Sequence, residues 1–86
     1  MSKRSTDKFF EGQMPAKITF DDDSFDLTTV EFDKSGRFST DSLLATTQRR
    51  FRASTLDEAG ILREFSCEVQ NISNGRVIGI WKEIDQ

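Results

Sequence analysis

Neither histidine nor tyrosine occurs in this chain of 86 residues, and cysteine and proline occur once each, as Cys67 and Pro15. Without histidine the chain lacks the side chain whose ordinary pKa suits proton transfer near pH 7, and Cys67 and every serine lack their usual activating partner. A single cysteine is too small a ligand set for zinc or a soft transition metal, and it provides no disulfide framework. The chain is therefore expected to be no enzyme, to use no metal or cofactor, and to reside in the reducing cytoplasm. No apolar run approaches the ~18 residues that would read as a membrane span. The basic start Met1-Ser2-Lys3-Arg4-Ser5-Thr6 is not followed by an apolar stretch, so neither a secretory signal nor a membrane association is expected.

What is present is charge and phenylalanine. Charged residues make up 31% of the chain, with a net charge of −3, and there are eight phenylalanines and one tryptophan. A chain of this length suits one small domain with a modest core. The expected organisation is an N-terminal arm over residues 1–15, polar apart from Phe9 and Phe10 and ending at Pro15, followed by a single domain over 16–86.

Within that domain Ala16, Ile18 and Phe20 alternate with Lys17 and Thr19, the period of a strand. Asp21-Asp22-Asp23-Ser24 supplies turn chemistry, and the Thr-, Val- and Phe-rich stretch Phe25 to Phe32 predicts a second strand, completing a hairpin. Asp33-Lys34-Ser35-Gly36 is a second turn, leading to a short extended piece around Arg37 and Phe38. Residues 39–45 read as a short irregular or helical connection, with an edge strand as the alternative. Between Thr46 and Ala53 a strand is expected, with Phe51 and Ala53 on one face and Arg50 and Arg52 on the other.

The next segment admits two readings. Wound as a helix, Ile61, Leu62, Phe65, Val69 and Ile72 fall within an arc of ~100°, the width of a face lying on a core. Thr55-Leu56-Asp57-Glu58 matches a capping box and Asn74-Gly75 suits a helix exit, although Gly60 weakens the first turn. The other reading makes Phe65, Cys67 and Val69 alternate in a strand, with Ser73-Asn74-Gly75 as a tight hairpin turn into Arg76. In that register Phe65 to Asn71 resembles the late strand of immunoglobulin-type domains, without their second cysteine or the tyrosine before it. Cys67 separates the two, being exposed on the helix and buried in the strand. The helix is preferred. Arg76 to Ile84 predicts a last strand, with Ile78, Ile80 and Ile84 on one side and Val77 and Trp81 on the other.

The expected fold is thus α+β, an antiparallel sheet of four to five strands with one long helix over about 55–73 packed on one face. Its order is β-β-(β or short element)-β-α-β. The run Phe51-Arg52-Ala53-Ser54-Thr55-Leu56-Asp57-Glu58-Ala59 resembles the strand-to-helix junction of small phage proteins such as the T7-type inhibitors of bacterial RNA polymerase. That resemblance implies a junction geometry and a phage or mobile-element origin, and it assigns no functional residue.

Two charged groups are candidate partner-binding sites. Arg49, Arg50 and Arg52 form a basic cluster that Trp81 would join if the last strand lies nearby, a combination found in binding hot spots and in sheets that stack bases. Asp21, Asp22, Asp23 and Asp26, continued by Glu31 and Asp33, form an acidic stretch. It fails as a calcium loop because Phe25 and Phe32 occupy ligand positions. Asn71-Ile72-Ser73 fits a glycosylation acceptor by chance, given no secretory signal. The expected function is a small non-catalytic binding or regulatory protein that occupies the surface of a larger protein, as an inhibitor of phage or mobile-element origin would. The alternative is a nucleic-acid-binding module using the Arg/Trp face.

Overall fold

The computed structural model describes residues 11–84. Its strands are β1 (Gly12–Thr19), β2 (Phe25–Phe32), β3 (Arg37–Thr40), β4 (Arg50–Leu56), β5 (Leu62–Ser73) and β6 (Arg76–Glu83), with one 3-10 turn at Leu44–Thr47 between β3 and β4. All neighbours pair antiparallel in the order β1-β2-β3-β6-β5-β4, and β4 returns to β1 to close a six-stranded barrel. The expected α+β fold is overturned. No long helix exists among the described residues, and the segment assigned to it is the end of β4, a hairpin turn and the whole of β5.

The physical reason lies in the turn. Asp57 to Ile61 closes a hairpin in which the Gly60 amide donates to the Asp57 carbonyl and the Asp57 amide donates to the Ile61 carbonyl. The Asp57 carboxylate accepts the amides of Ala59 and Ile61, as a helix-capping carboxylate accepts amides of a first turn. Gly60 has φ +79°, the left-handed residue that lets a three-residue loop join two twisted strands. The chemistry of a helix start and of a hairpin is shared here, and neighbouring strands on both sides of β5 decide between them. The same loop recurs twice. Phe20 to Ser24 and Asp33 to Arg37 carry the same pair of backbone hydrogen bonds, with Asp23 (φ +68°) and Gly36 (φ +94°) in the left-handed position. Asn74 and Gly75, both left-handed, form the tight β5–β6 turn instead of a helix exit.

The resemblance to a phage strand-to-helix junction fails for the same reason, since Phe51 to Leu56 continues into a hairpin. β1 begins at Gly12, ahead of Pro15. The connection over 39–45 splits between the end of β3, a loop and the start of the 3-10 turn. Phe9 and Phe10 of the expected arm lie outside the described residues.

The barrel interior is filled by inward-facing residues from all six strands, most of the large ones aromatic. Phe20, Phe38 and Phe51 meet edge to face at centroid distances of 5.8 Å for Phe20–Phe51 and 5.4 Å for Phe38–Phe51. Phe32, Phe65 and Trp81 form a second group, with Trp81 edge-on to Phe32 at 5.7 Å and to Phe65 at 5.3 Å. Such pairs add to the area they bury because ring edges meet ring faces of opposite partial charge. Cys67 is fully buried and lies opposite Trp81 across β5–β6, so the thiol expected on a polar helix face is part of the core. Burial pushes its pKa up to about 12.

Of the residues wound into the predicted helix face, only Phe65 is fully buried and Val69 packs on the core, whereas Ile61, Leu62 and Ile72 are exposed. A bulge between Val69 and Asn71 breaks the strand alternation there, which is why period two was hard to read. Gly79 sits opposite Val69, and a Cβ on it would stand 1.9 Å from the Glu68 carbonyl oxygen and 2.8 Å from the Phe38 ring. β5 and β6 therefore approach closely only because position 79 has no side chain. No described helix is long and apolar enough to cross a membrane.

Candidate functional site

The barrel is unevenly sealed. β5 and β6 share eight register pairs, whereas β1 and β4 share three, Lys17 with Ser54, Ile18 with Ala53 and Thr19 with Arg52. Beyond Lys17 the two strands part. Pro15 has no amide to donate, and its carbonyl accepts the Thr55 hydroxyl at 2.7 Å.

Outside this weak seam lies an open groove of about 900 Å³ running across β2, β1, β4 and β5. Its apolar contributors are Pro15 and three outward-facing leucines: Leu27 (71% exposed), Leu56 (63%) and Leu62 (59%). Leu56 and Leu62 are direct neighbours across β4–β5. Lys17 and Arg52 supply positive charge, Glu64 negative charge, and Thr19, Thr29, Ser54 and Thr55 supply hydroxyls. Lys17 Nζ stands 4.7 Å from the Phe25 ring centroid, a cation–π contact at the groove's edge.

A smaller recess of about 340 Å³ adjoins it, formed by Thr19, Phe20, Asp21, Asp23, Arg50, Phe51, Arg52 and Ser66. Arg50 and Arg52 project outward from β4 while Phe51 and Ala53 face the core. The recess places both arginines beside Asp21 and Asp23 of the β1–β2 turn. The acidic and basic patches, far apart in sequence, therefore share one wall, and Arg52 belongs to both the recess and the groove.

The other predicted site residues divide. Arg49 is exposed, and its carbonyl accepts the Val69 amide at 2.7 Å, which extends the β4–β5 pairing. Asp22 is exposed at the turn, where the hydroxyl and then the amide of Ser24 hold its carboxyl below the usual carboxylate range. Asp26 is half-buried and accepts the Ser42 hydroxyl at 2.6 Å, so it anchors the loop after β3. Trp81 does not join the arginines. It is only 8% exposed, packs on Phe32 and Phe65, and donates its indole N–H to the Asp33 carbonyl at 3.0 Å. Closing the sheet into a barrel buries the inner face of every strand. On β6 that face carries Val77, Gly79 and Trp81, leaving Ile78 half-buried and Ile80 exposed. The Arg/Trp face is therefore not formed.

Sequence reasoning missed Leu27, Leu56 and Leu62. Leu27 stood at an outward position of a strand that alternates correctly, and that was a usable signal. In the sequence Leu62 falls on the apolar face of the predicted helix and Leu56 within its capping box, so neither signals exposure. No protein-family model matches the chain, and neither the search of curated proteins nor that of solved structures finds a match.

Proposed function

We propose that the protein is a small non-catalytic binding protein that seats a segment of a larger protein in the groove over the β1–β4 seam. The observation that carries this reading is the exposure of Leu27, Leu56 and Leu62 together on one concave surface. Apolar side chains scattered singly on a surface need no explanation, but three lining a single groove of this volume mark an interaction site. Polar groups interleaved with the leucines suit a reversible protein contact, in which an apolar centre is rimmed by hydrogen-bonding groups. The missing histidine and the buried thiol of Cys67 support binding over chemistry.

The test is affinity capture from lysate of the cells that encode the protein, run with the wild-type chain and with a Leu56→Thr/Leu62→Thr variant. Threonine keeps strand propensity while removing the apolar contact. A protein retained by the wild type and lost by the variant is the expected result. Equal retention by both, or turnover of a substrate by the pure chain, would overturn the reading.

A further inference from the structure

We infer that the occupant of the β1–β4 groove is an extended, acidic and apolar peptide segment, a carboxylate flanked by aliphatic side chains, and this rests on the binding reading above. Three features of the walls point to that chemistry. The first is charge. Lys17 and Arg52 form no ion pair among the described residues, although the chain as a whole carries −3. At physiological ionic strength charges are screened beyond about 8 Å, so a ligand in the groove meets these two cations and Glu64, a local positive surplus, rather than the net charge. Asp21 and Asp23 lie in the adjoining recess at the Arg52 end, so they repel a carboxylate there and direct it towards Lys17.

The second feature is the order of charge and apolar surface along the groove. Lys17 lies between Leu27 on β2 and Ser54 on β4, with Arg52 to one side along β4 and, to the other, Leu56 and Leu62 facing each other where β1 has parted from β4. A segment lying along the groove meets Arg52, then Lys17 beside Leu27, then Leu56 and Leu62, and this sets its direction. The third feature is the wall itself, to which Thr19, Thr29 and Ser54 contribute hydroxyls beside the leucines. A lipid chain would prefer dry walls, whereas the amides of an extended peptide can use these hydroxyls. The groove is also open, so a chain can pass through it without ending inside.

The experiment measures fluorescence anisotropy of the full chain with three fluorescein-labelled decapeptides of alternating leucine and threonine, identical except for a central glutamate, glutamine or lysine. The glutamate peptide is expected to bind about tenfold more tightly than the lysine peptide. Raising the salt should shrink that preference, and a Lys17→Gln/Arg52→Gln variant should abolish it, with native Trp81 fluorescence as the control for folding. Equal binding of the three peptides, no binding of the glutamate peptide, or a preference unchanged in the double variant would overturn the inference. Two further outcomes would do the same: salt-sensitive binding of a single-stranded oligothymidylate that needs Lys17 and Arg52, or self-association in sedimentation that the Leu56→Thr/Leu62→Thr variant removes. A partner captured through Leu56 and Leu62 without any acidic preference would leave the binding reading intact and this inference lost.

Discussion

The β5–β6 interface and the β1–β4 seam are made of the same backbone hydrogen bonds but do opposite work. The first joins neighbours in sequence through a two-residue turn, runs for eight register pairs and is drawn together at Gly79. The second joins strands some thirty residues apart, holds for three pairs and hands over to a side-chain bond from Thr55 to Pro15. Local hairpins form cheaply because little chain entropy is lost in closing them, whereas the closing contact of a barrel bears the cost of the long loop. The less tightly sealed place is also where Leu27, Leu56 and Leu62 lie exposed. A barrel that closed as firmly at β1–β4 as at β5–β6 would leave less room for a groove there.

The largest effect should come from the strong side. Gly79→Ala places a methyl group against the Glu68 carbonyl, so β5 must shift. A loss of about 3 kcal/mol is expected, read from the urea midpoint followed by Trp81 fluorescence. Wild-type stability in that variant would mean that β5 and β6 are not in close contact at this point.

Cys67 gives a pH dependence to the same interface. Its folded pKa, about 12, lies above that of an unfolded cysteine, so the unfolded state releases the proton first. The contribution is whole below the unfolded pKa, about 8.5, and is lost as pH rises towards 12. Between those limits wild-type stability should fall more steeply than that of Cys67→Ala, by up to about 1.4 kcal/mol per pH unit. Parallel pH profiles for the two proteins would remove Cys67 from the core.

At the seam the expected effects are smaller. Thr55→Val removes the bond to Pro15 and should cost about 1 kcal/mol, with faster hydrogen exchange at Lys17 and Thr19 and little change in β6. Uniform acceleration in both regions would erase the contrast between them. The smallest effect belongs to the turns. The hydroxyl and amide of Ser35 hold the Asp33 carboxyl below its usual range. Its folded pKa is depressed, so the stabilisation is present above the unfolded pKa and fades as pH falls through the folded one. An NMR titration should find its midpoint below 3.8 and returned towards that value in Ser35→Ala; identical midpoints would show that Ser35 does not act on it.

Much of the first half of the fold was legible. The β1–β2 hairpin, the turn at Asp33 to Gly36, and the alternation of Arg50 and Arg52 with Phe51 and Ala53 follow from period two and turn chemistry. The segment from Thr55 to Gly75 was not, because its punctuation is ambiguous at both ends. Asp57 and Gly60 serve a hairpin as readily as a helix start, and Asn74-Gly75 serves a type I′ turn as readily as a helix exit. Between them the bulge after Val69 interrupts the alternation that would have identified a strand. The site was legible only as parts. Arg52 and the acidic turn are visible in the sequence, but their shared wall requires the β1–β4 register, and Trp81 reads as outward because Ile78, Ile80 and Ile84 look more like a core face than Val77, Gly79 and Trp81 do.

By itself the sequence determined which residue types are missing, where most of the turns fall, and which residues alternate on β1, β4 and β6, because each of these depends on residue type or near neighbours. Only the tertiary structure decided that the sheet closes on itself. Closure pairs β5 on both edges and so excludes the helix, turns Trp81 and Cys67 inward, and brings Arg52 to the acidic turn. It also leaves Leu27, Leu56 and Leu62 exposed along a short seam, since contacts between distant strands depend on register and bulges that no local pattern encodes.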